Sequence, residues 1–307
     1  MKLIRAATEL AAGDRKVCLA IGFFDGVHLG HQQIIRQTIA DARQHGAIAL
    51  VLTFDRHPSS VVAPERTPPL IYSLPQKLRV IESLGTDTLL LLHFDEPFSR
   101  QTGEEFIRKL AGDLGKIQSL CVGANFTFGH KRSGDVTLLK NLGQELGFTV
   151  HGLAAVSLDG QVVSSTRIRE TLRTGNLDAA SQMLGRPYAI SGRVVAGDRI
   201  GRQLGFPTAN LDATGLLLPP NGVYSGLTRL QGWNYRVALN IGLRPTVATG
   251  HPQLRVEAHI LDFDGQLYGE ELEVELDKKL REERKFASPQ DLRAQIAKDL
   301  EQARAKA

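Results

Sequence analysis

The residues of this chain whose types and spacing could do chemistry collect in a few short segments. Gly22–His31 reads GFFDGVHLGH. His28 and His31 are three apart, so the first turn of a helix would project both imidazoles on one face. Beside a helix N-terminus, two imidazoles can hydrogen-bond a triphosphate and the charge that grows on a departing pyrophosphate. Gly22 and Gly26 suit a tight turn, and Gly30 leaves backbone that no Cβ shields from a nucleotide. A strand–turn–helix whose histidines are merely polar caps uses the same residues. Residues 163–169, VSSTRIR, place the hydroxyls of Ser164, Ser165 and Thr166 ahead of Arg169 at an expected helix start, a second anion-compatible turn.

Residues 196–210, AGDRIGRQLGFPTAN, form the other glycine-rich stretch. Backbone amides around Gly201, Arg202 and Gly205 can wrap phosphate, while Thr208 and Asn210 offer neutral oxygens to a hydrated Mg²⁺. No GK[ST] follows, so this is not a Walker loop, and a long hairpin loop would explain it as readily. Glu257 is the one carboxylate inside the alternating strand pattern of LRVEAHILDF, Asp262 falling after the apolar alternation ends. Strand period sends Glu257 and His259 to one face and Val256 and Ala258 to the other. Glu257 is then either on the solvent side of an edge strand or a general base aimed into a pocket.

Two further segments close expected strands: TFDRHP at 53–58, with His57, and GANFTFGHKRSG at 123–134. In the second, Phe126 and Phe128 alternate onto one face and Asn125 and Thr127 onto the other, so one side could meet a flat ring. Half-buried core phenylalanines beside a solvated basic loop are the blander reading.

The elements that must position these residues differ between the two halves. Up to about residue 187, apolar runs at Val17–Ile21, Ile48–Thr53, Thr88–His93 and Leu120–Gly123 alternate with helical stretches near His31–His45, Pro75–Leu84, Glu104–Leu110 and Thr137–Leu146. That rhythm predicts a parallel sheet with crossover helices, which binds ligands beyond the carboxyl ends of its strands. Thereafter ISGRVVA, NGVYSGLTRL, YRVALNIG, LRVEAHILDF and LEVELDKKL, separated by turn residues, predict an antiparallel barrel or sandwich. Ser288–Ala307 has Ser-Pro at its start and Leu292, Ile296 and Leu300 at fourfold spacing, a capped amphipathic helix. The junction falls at Leu184–Pro187, dividing the chain into residues 1–186 and 187–307.

A length of 307 residues suits two domains, and 42% apolar with 23% charged residues excludes wholesale disorder. The 37 basic and 33 acidic residues are interleaved, with no stripe that would track a nucleic-acid backbone. Cys18 and Cys121 each lie inside an apolar run, which reads as two buried, reduced thiols. The start lacks the apolar region of a signal peptide and no run is long enough to span a bilayer, so a cytoplasmic protein without membrane partners is expected.

The pairing of HxGH with SSTRIR resembles the HxGH nucleotidyltransferases. From end to end, the order GFFDGVHLGH, TFDRHP, NFTFGHKRSGD, VSSTRIRE, LGRPY, GRQLGFPTAN, NIGLRPT, VEAHILDFDGQLYG and LREERKF resembles the prokaryotic bifunctional riboflavin kinase and FMN adenylyltransferase (FAD synthetase) family. The resemblance implies a Rossmann-like α/β nucleotidyltransferase domain followed by an antiparallel β-barrel with a terminal α-helix. The barrel half would phosphorylate riboflavin with ATP, Glu257 deprotonating the ribityl 5′-hydroxyl and Thr208 and Asn210 holding Mg²⁺ with ATP. The first half would adenylylate FMN to FAD with release of pyrophosphate, with His28, His31 and Arg169 on the ATP phosphates.

By the same likeness, Gly22, Phe24, Asp25, Gly30, His57, Ser164, Ser165 and Thr166 would contact nucleotide in the first half, and Gly201, Arg202 and Gly205 in the second. Asn125, Phe126, Thr127 and Phe128 would meet flavin in the first half, and Arg281 and Phe286 in the second. The chain departs from the family pattern where Asn125 replaces the Asp of a DFxFG motif and Arg56 precedes His57-Pro58. Asn keeps hydrogen-bonding capacity and loses the charge. Monomer or weak homo-oligomer is the expected state.

Overall fold

A strand that is apolar at every position must be covered on both faces, and VCLAI at Val17–Ile21 is buried throughout. The computed structural model, which describes residues 1–10, 12–197, 201, 204–244 and 253–305, places this strand inside a sheet. With β1 (Lys2–Ile4), β2 (Val17–Ile21), β3 (Ile48–Phe54), β4 (Thr88–Leu92), β5 (Ile117–Gly123) and β6 (Thr149–Leu153), the order is β1-β4-β3-β2-β5-β6. Every pairing in it is parallel. The chain runs from β2 outward to β3 and β4, then returns to place β5 on the other side of β2. The strand order therefore reverses between β2 and β5, and the crevice beyond their carboxyl ends is where such sheets take ligands.

Four helices supply the coverage: Leu29–His45, Leu74–Ser83, Gly103–Leu114 and Val136–Leu146. Ile34, Ile35, Ile39 and Ala42 of the first bury against Cys18, Ala20 and Val51 on one face of the sheet. Phe106, Ile107 and Leu110 of the third bury on the other face with Leu19, Leu50 and Leu120. Cys18 and Cys121 are both buried and free, as their apolar settings predict. A short ribbon, β7 (Ser157–Leu158) with β8 (Gln161–Val162), precedes helices Ser165–Arg173 and Leu177–Leu184.

The chain forms two compact units, Met1–Leu70 with Leu74–Ser165, and Ile71–Ser73 with Thr166–Ala307. In the second unit, β9 (Ala189–Val195), β10 (Ala209–Asp212), β11 (Gly222–Leu230), β12 (Trp233–Arg244), β13 (Gln253–Ile260) and β14 (Glu271–Arg281) close an antiparallel barrel in the order β10-β13-β12-β11-β14-β9. The helix Leu177–Leu184 packs on β14, and the terminal helix Pro289–Arg304 packs on β11, β12 and β14. Ser288 caps that helix by accepting the Asp291 N–H, and Pro289 opens it. Among the described residues, no helix is long and apolar enough to cross a membrane.

Candidate active sites

In the first unit, the segment after β2 holds a conformation that side chains resist. Phe24 at φ 54° and Val27 at φ 39° both lie in the left-handed region, around Gly26 at φ 73°. Such backbone costs about 1–3 kcal/mol per residue and persists where surrounding structure over-determines it. Gly22 is required here, since a Cβ on it would stand 2.7 Å from the Phe24 ring. Behind the turn, His28 N-caps the helix Leu29–His45, its Nδ1 accepting the His31 N–H at 3.4 Å. A neutral His28 therefore carries its proton on Nε2. The His28 and His31 rings stack at 3.6 Å and 21°, so the two act as one imidazole surface at a helix N-terminus.

Neighbouring segments converge on this turn. Ser165 Oγ donates to Asp25 O at 3.1 Å, tying the SST segment to it. The His57 and Phe23 rings meet in a T-shaped contact at 4.7 Å, and His57 Nδ1 accepts the Ser59 N–H. Ser164 belongs to this unit; Thr166 and the buried Arg169 belong to the second.

Beyond β5, Phe126 and Phe128 stack on one another at 5.2 Å and pack on the sheet's core, while Asn125 and Thr127 are exposed. The predicted alternation is therefore present, with the phenylalanine face turned to the core. Gly103 and Gly134 make room for Phe128, and Ser133 Oγ accepts the Gly103 N–H, which pins the loop.

One residue of this site is not among the sequence candidates. Lys77, on helix Leu74–Ser83, is buried and donates from Nζ to Phe23 O at 3.1 Å, Thr53 Oγ1 at 3.2 Å and Phe54 O at 2.9 Å. Burial pushes its ammonium down to about 8, against the pull of Asp25 and Asp55. The signal that could have found it is a lysine on the apolar stripe Leu74, Leu78 and Ile81, at the i+3 position.

The second unit holds two adjoining cavities. In one, of about 400 Å³, β-ladder register aligns three polar side chains: Glu257 pairs with Asn210 on one side and with Asn240 on the other. Glu257 and His259 are half-buried, while Val256, Ala258 and Ile260 on the opposite face are buried, as strand period requires. His259 Nδ1 lies 2.7 Å from Pro207 O and so carries its proton there. Thr208, Arg281 and Phe286 line the same cavity, as do Leu292, Ile296 and Leu300 of the terminal helix. The fourfold stripe of that helix is thus a half-buried apolar wall. Arg281 is held by Asp299, its Nε at 3.0 Å from both carboxylate oxygens and its Nη2 at 2.8 Å from Oδ2, and its guanidinium stands 5.7 Å from the centre of the Phe286 ring.

The other cavity, of about 360 Å³, shares Thr208 and Asn210 and is closed by Gly197 and residues 263–268. A Cβ on Gly197 would overlap the Asn210 amide, so that glycine makes room for a PTAN side chain, whereas one on Gly201 would stand 2.5 Å from Phe206 O and 3.2 Å from Thr208 Oγ1. Gly205 sits at φ 90°, where a side chain is strained. Residues 198–200 and 202–203, including the expected nucleotide contact Arg202, lie outside the described residues. The segment read as a loop ends in strand β10; its four residues, two of them Asn and Asp, are too short and polar to signal a strand. Asn240 also escaped notice, although a lone amide in the apolar run YRVALNIG marks it.

Two cavities that share a Thr–Asn pair beside a carboxylate in one unit, and an HxGH turn at the switch point of a parallel sheet in the other, define a protein with two candidate sites on two different folds. The FAD synthetase family model matches residues 11–167 and the riboflavin kinase model residues 184–307. The bifunctional riboflavin kinase/FMN adenylyltransferase of Escherichia coli strain K12 is 39% identical, over 97% of this chain and 96% of its own. That of Bacillus subtilis strain 168 is 36% identical, over 94% and 92%. A solved structure described as a macrolide-efflux protein from Streptococcus pneumoniae aligns with a TM-score of 0.82 and 29% identity over 99% of both chains. The chain belongs to the bifunctional riboflavin kinase/FMN adenylyltransferase family: it phosphorylates riboflavin to FMN and adenylylates FMN to FAD, both with ATP.

Proposed function

We propose that the kinase reaction is run by the row Asn240–Glu257–Asn210 and that adenylyl transfer is run from the His28–His31 turn. The carrying observation is the β-ladder register that puts Glu257 between two amides on the floor of one cavity. Riboflavin lies along the apolar wall of Leu292, Ile296 and Leu300, with Phe286 and Arg281 at its rim. Its ribityl 5′-hydroxyl gives its proton to Glu257 and attacks the γ-phosphorus of ATP held in the adjoining cavity. Thr208 and Asn210, common to both cavities, stand where the transferred phosphate must pass, with amides near Gly201 and Gly205 around it.

Among the described residues no cluster of three His, Cys, Asp or Glu side chains could hold a metal ion. The neutral oxygens of Thr208 and Asn210 fit Mg²⁺, which keeps much of its water and takes its remaining ligands from phosphate. Mg²⁺ carried by ATP would neutralise phosphate charge there.

In the first domain, the phosphate of FMN attacks the α-phosphorus of ATP and pyrophosphate leaves. His28 and His31 donate to the phosphates from Nε2; Arg169, with the hydroxyls of Ser164, Ser165 and Thr166, holds the remaining charge. Gly22, Phe24, Asp25, Gly30 and His57 shape the nucleotide side, and Asn125 and Thr127, exposed beyond β5 with Phe126 and Phe128 behind them, meet flavin. The working division is residues 1–186 for adenylyl transfer and 187–307 for the kinase. The enzyme works in the cytoplasm as a monomer or weak homo-oligomer, without nucleic acid or membrane; the interleaved charge supports the lack of a nucleic-acid partner. Separating flavins over time with riboflavin, ATP and Mg²⁺ tests the scheme. FMN first and FAD later is expected; neither appearing overturns it.

A further inference from the structure

The carboxyl ends of β2 and β3 are joined by a buried cation. Lys77 Nζ has three N–H groups and three oxygen acceptors: Phe23 O in the Gly22–His31 turn, and Thr53 Oγ1 and Phe54 O at the start of TFDRHP. Thr53 Oγ1 spends its own proton on Phe23 O at 2.9 Å, so it can only accept from the lysine. The ammonium also stands 4.3 Å from the centre of the Phe23 ring, which meets the His57 ring in a T-shaped contact at 4.7 Å. Phe23 directly precedes the left-handed Phe24, and three residues beyond that lies Val27, also left-handed, leading into the His28 cap. One side chain therefore fixes the carbonyl from which the strained turn departs and the strand end that carries His57.

A buried lysine that merely filled space would be replaced by an apolar side chain without the cost of desolvating a charge. Here the charge has a use, because a neutral amine has two N–H groups for the same three acceptors. We propose that Lys77 is the positioning residue of the adenylyl-transfer site: its protonated ammonium holds the Gly22–His31 turn and the Asp55–Pro58 segment in the arrangement that receives ATP. The inference rests on reading that turn as the ATP site.

Proton loss from Lys77 weakens the clamp. The charged groups that face it are Asp25 and Asp55, and Asp55 in turn is held by His93 at 2.6 Å and neighbours Arg56. Burial brings the ammonium down to about 8, within reach of ordinary assay buffers. Riboflavin phosphorylation by the same chain uses none of these residues and serves as the internal control.

The test is the pH profile of both activities in the full-length wild type, Lys77→Met and Lys77→Arg proteins. In the wild type, kcat for FMN adenylylation falls severalfold between about pH 7.5 and 9.5 while the kinase shows no such limb. Lys77→Met lowers that kcat by about tenfold or more at pH 7.5, loses the limb, and keeps kinase activity within about twofold. Lys77→Arg, charged throughout, gives a flat profile. The proposal is overturned if the wild-type profile is flat, if the limb persists in Lys77→Met, or if that variant adenylylates FMN within about threefold of normal. Should Lys77→Met not fold, the wild-type and Lys77→Arg profiles decide by the same criteria. His31→Ala separates the ATP-site reading from the role of Lys77. Normal FAD formation in it overturns the ATP-site reading, whereas its loss alongside an unaffected Lys77→Met overturns only the role of Lys77.

Discussion

Glu257 sits directly across the β10–β13 ladder from Asn210, and this single register pair joins the proposed base to the proposed phosphate-binding segment. A slip of one residue on either strand would turn one of the two side chains to the opposite face. Register is held by the buried alternation Val256, Ala258 and Ile260 against Leu211 and Leu239. The barrel core thus sets the geometry of the proposed kinase site.

His28 caps its helix, and the proposed phosphate donation would be a second, separable duty. His28→Ala should remove both, costing about 1 kcal/mol of stability through the lost cap and stopping FAD formation so that FMN accumulates. His28→Asn should restore the thermal midpoint, because Asn caps well, without restoring FAD synthesis. Recovery of activity by the Asn variant would show that the imidazole serves only as a cap.

Arg281 and Asp299 form a bidentate pair in which the carboxylate is buried. Arg281→Met leaves that charge without its guanidinium, and about 3–5 kcal/mol of barrel stability should be lost in urea unfolding followed by circular dichroism. Adding Asp299→Leu should recover most of it. No recovery in the double variant would mean that the arginine's packing matters more than its charge.

The two thiols should be inert in the native protein. Burial raises both, Cys121 to about 12, so the reactive thiolate is scarce below pH 9. Labelling with a disulfide reagent should be slow in buffer and reach both cysteines in denaturant. Rapid labelling of the native protein would contradict their burial.

Lys77 also predicts a pH dependence of stability with a definite sign. Its folded value, about 8, lies below the ordinary 10.5 of a lysine, so between these limits the unfolded chain binds more protons. This group's contribution to stability therefore rises with pH over that window, by up to about 3 kcal/mol. Unfolding free energies of wild type minus Lys77→Met should climb from pH 8 to 10.5. A constant difference would contradict the burial of a charged lysine.

The sheet and barrel were legible because their strands are apolar runs of one kind or the other, doubly covered or alternating. The edge strands β1 and β6 were not: TVHGL is half-exposed and carries a histidine and a glycine, so it has neither pattern. The candidate site segments stand out in the sequence where glycine and histidine occur together. What escaped were Lys77 and Asn240, polar residues inside otherwise apolar patterns, whose partners are brought to them by the tertiary fold. Asp299 escaped for the same reason, since its pairing with Arg281 spans 18 residues and a strand–helix turn.

The central claim, two ATP reactions at two independent sites of one chain, is tested most directly with Glu257→Gln. Given riboflavin, ATP and Mg²⁺, this variant should form FMN about two to four orders of magnitude more slowly than wild type. Given FMN in place of riboflavin, it should make FAD at the wild-type rate. Equal loss of both activities would contradict the assignment of Glu257 to the kinase alone, and unimpaired riboflavin phosphorylation would contradict its role as the base.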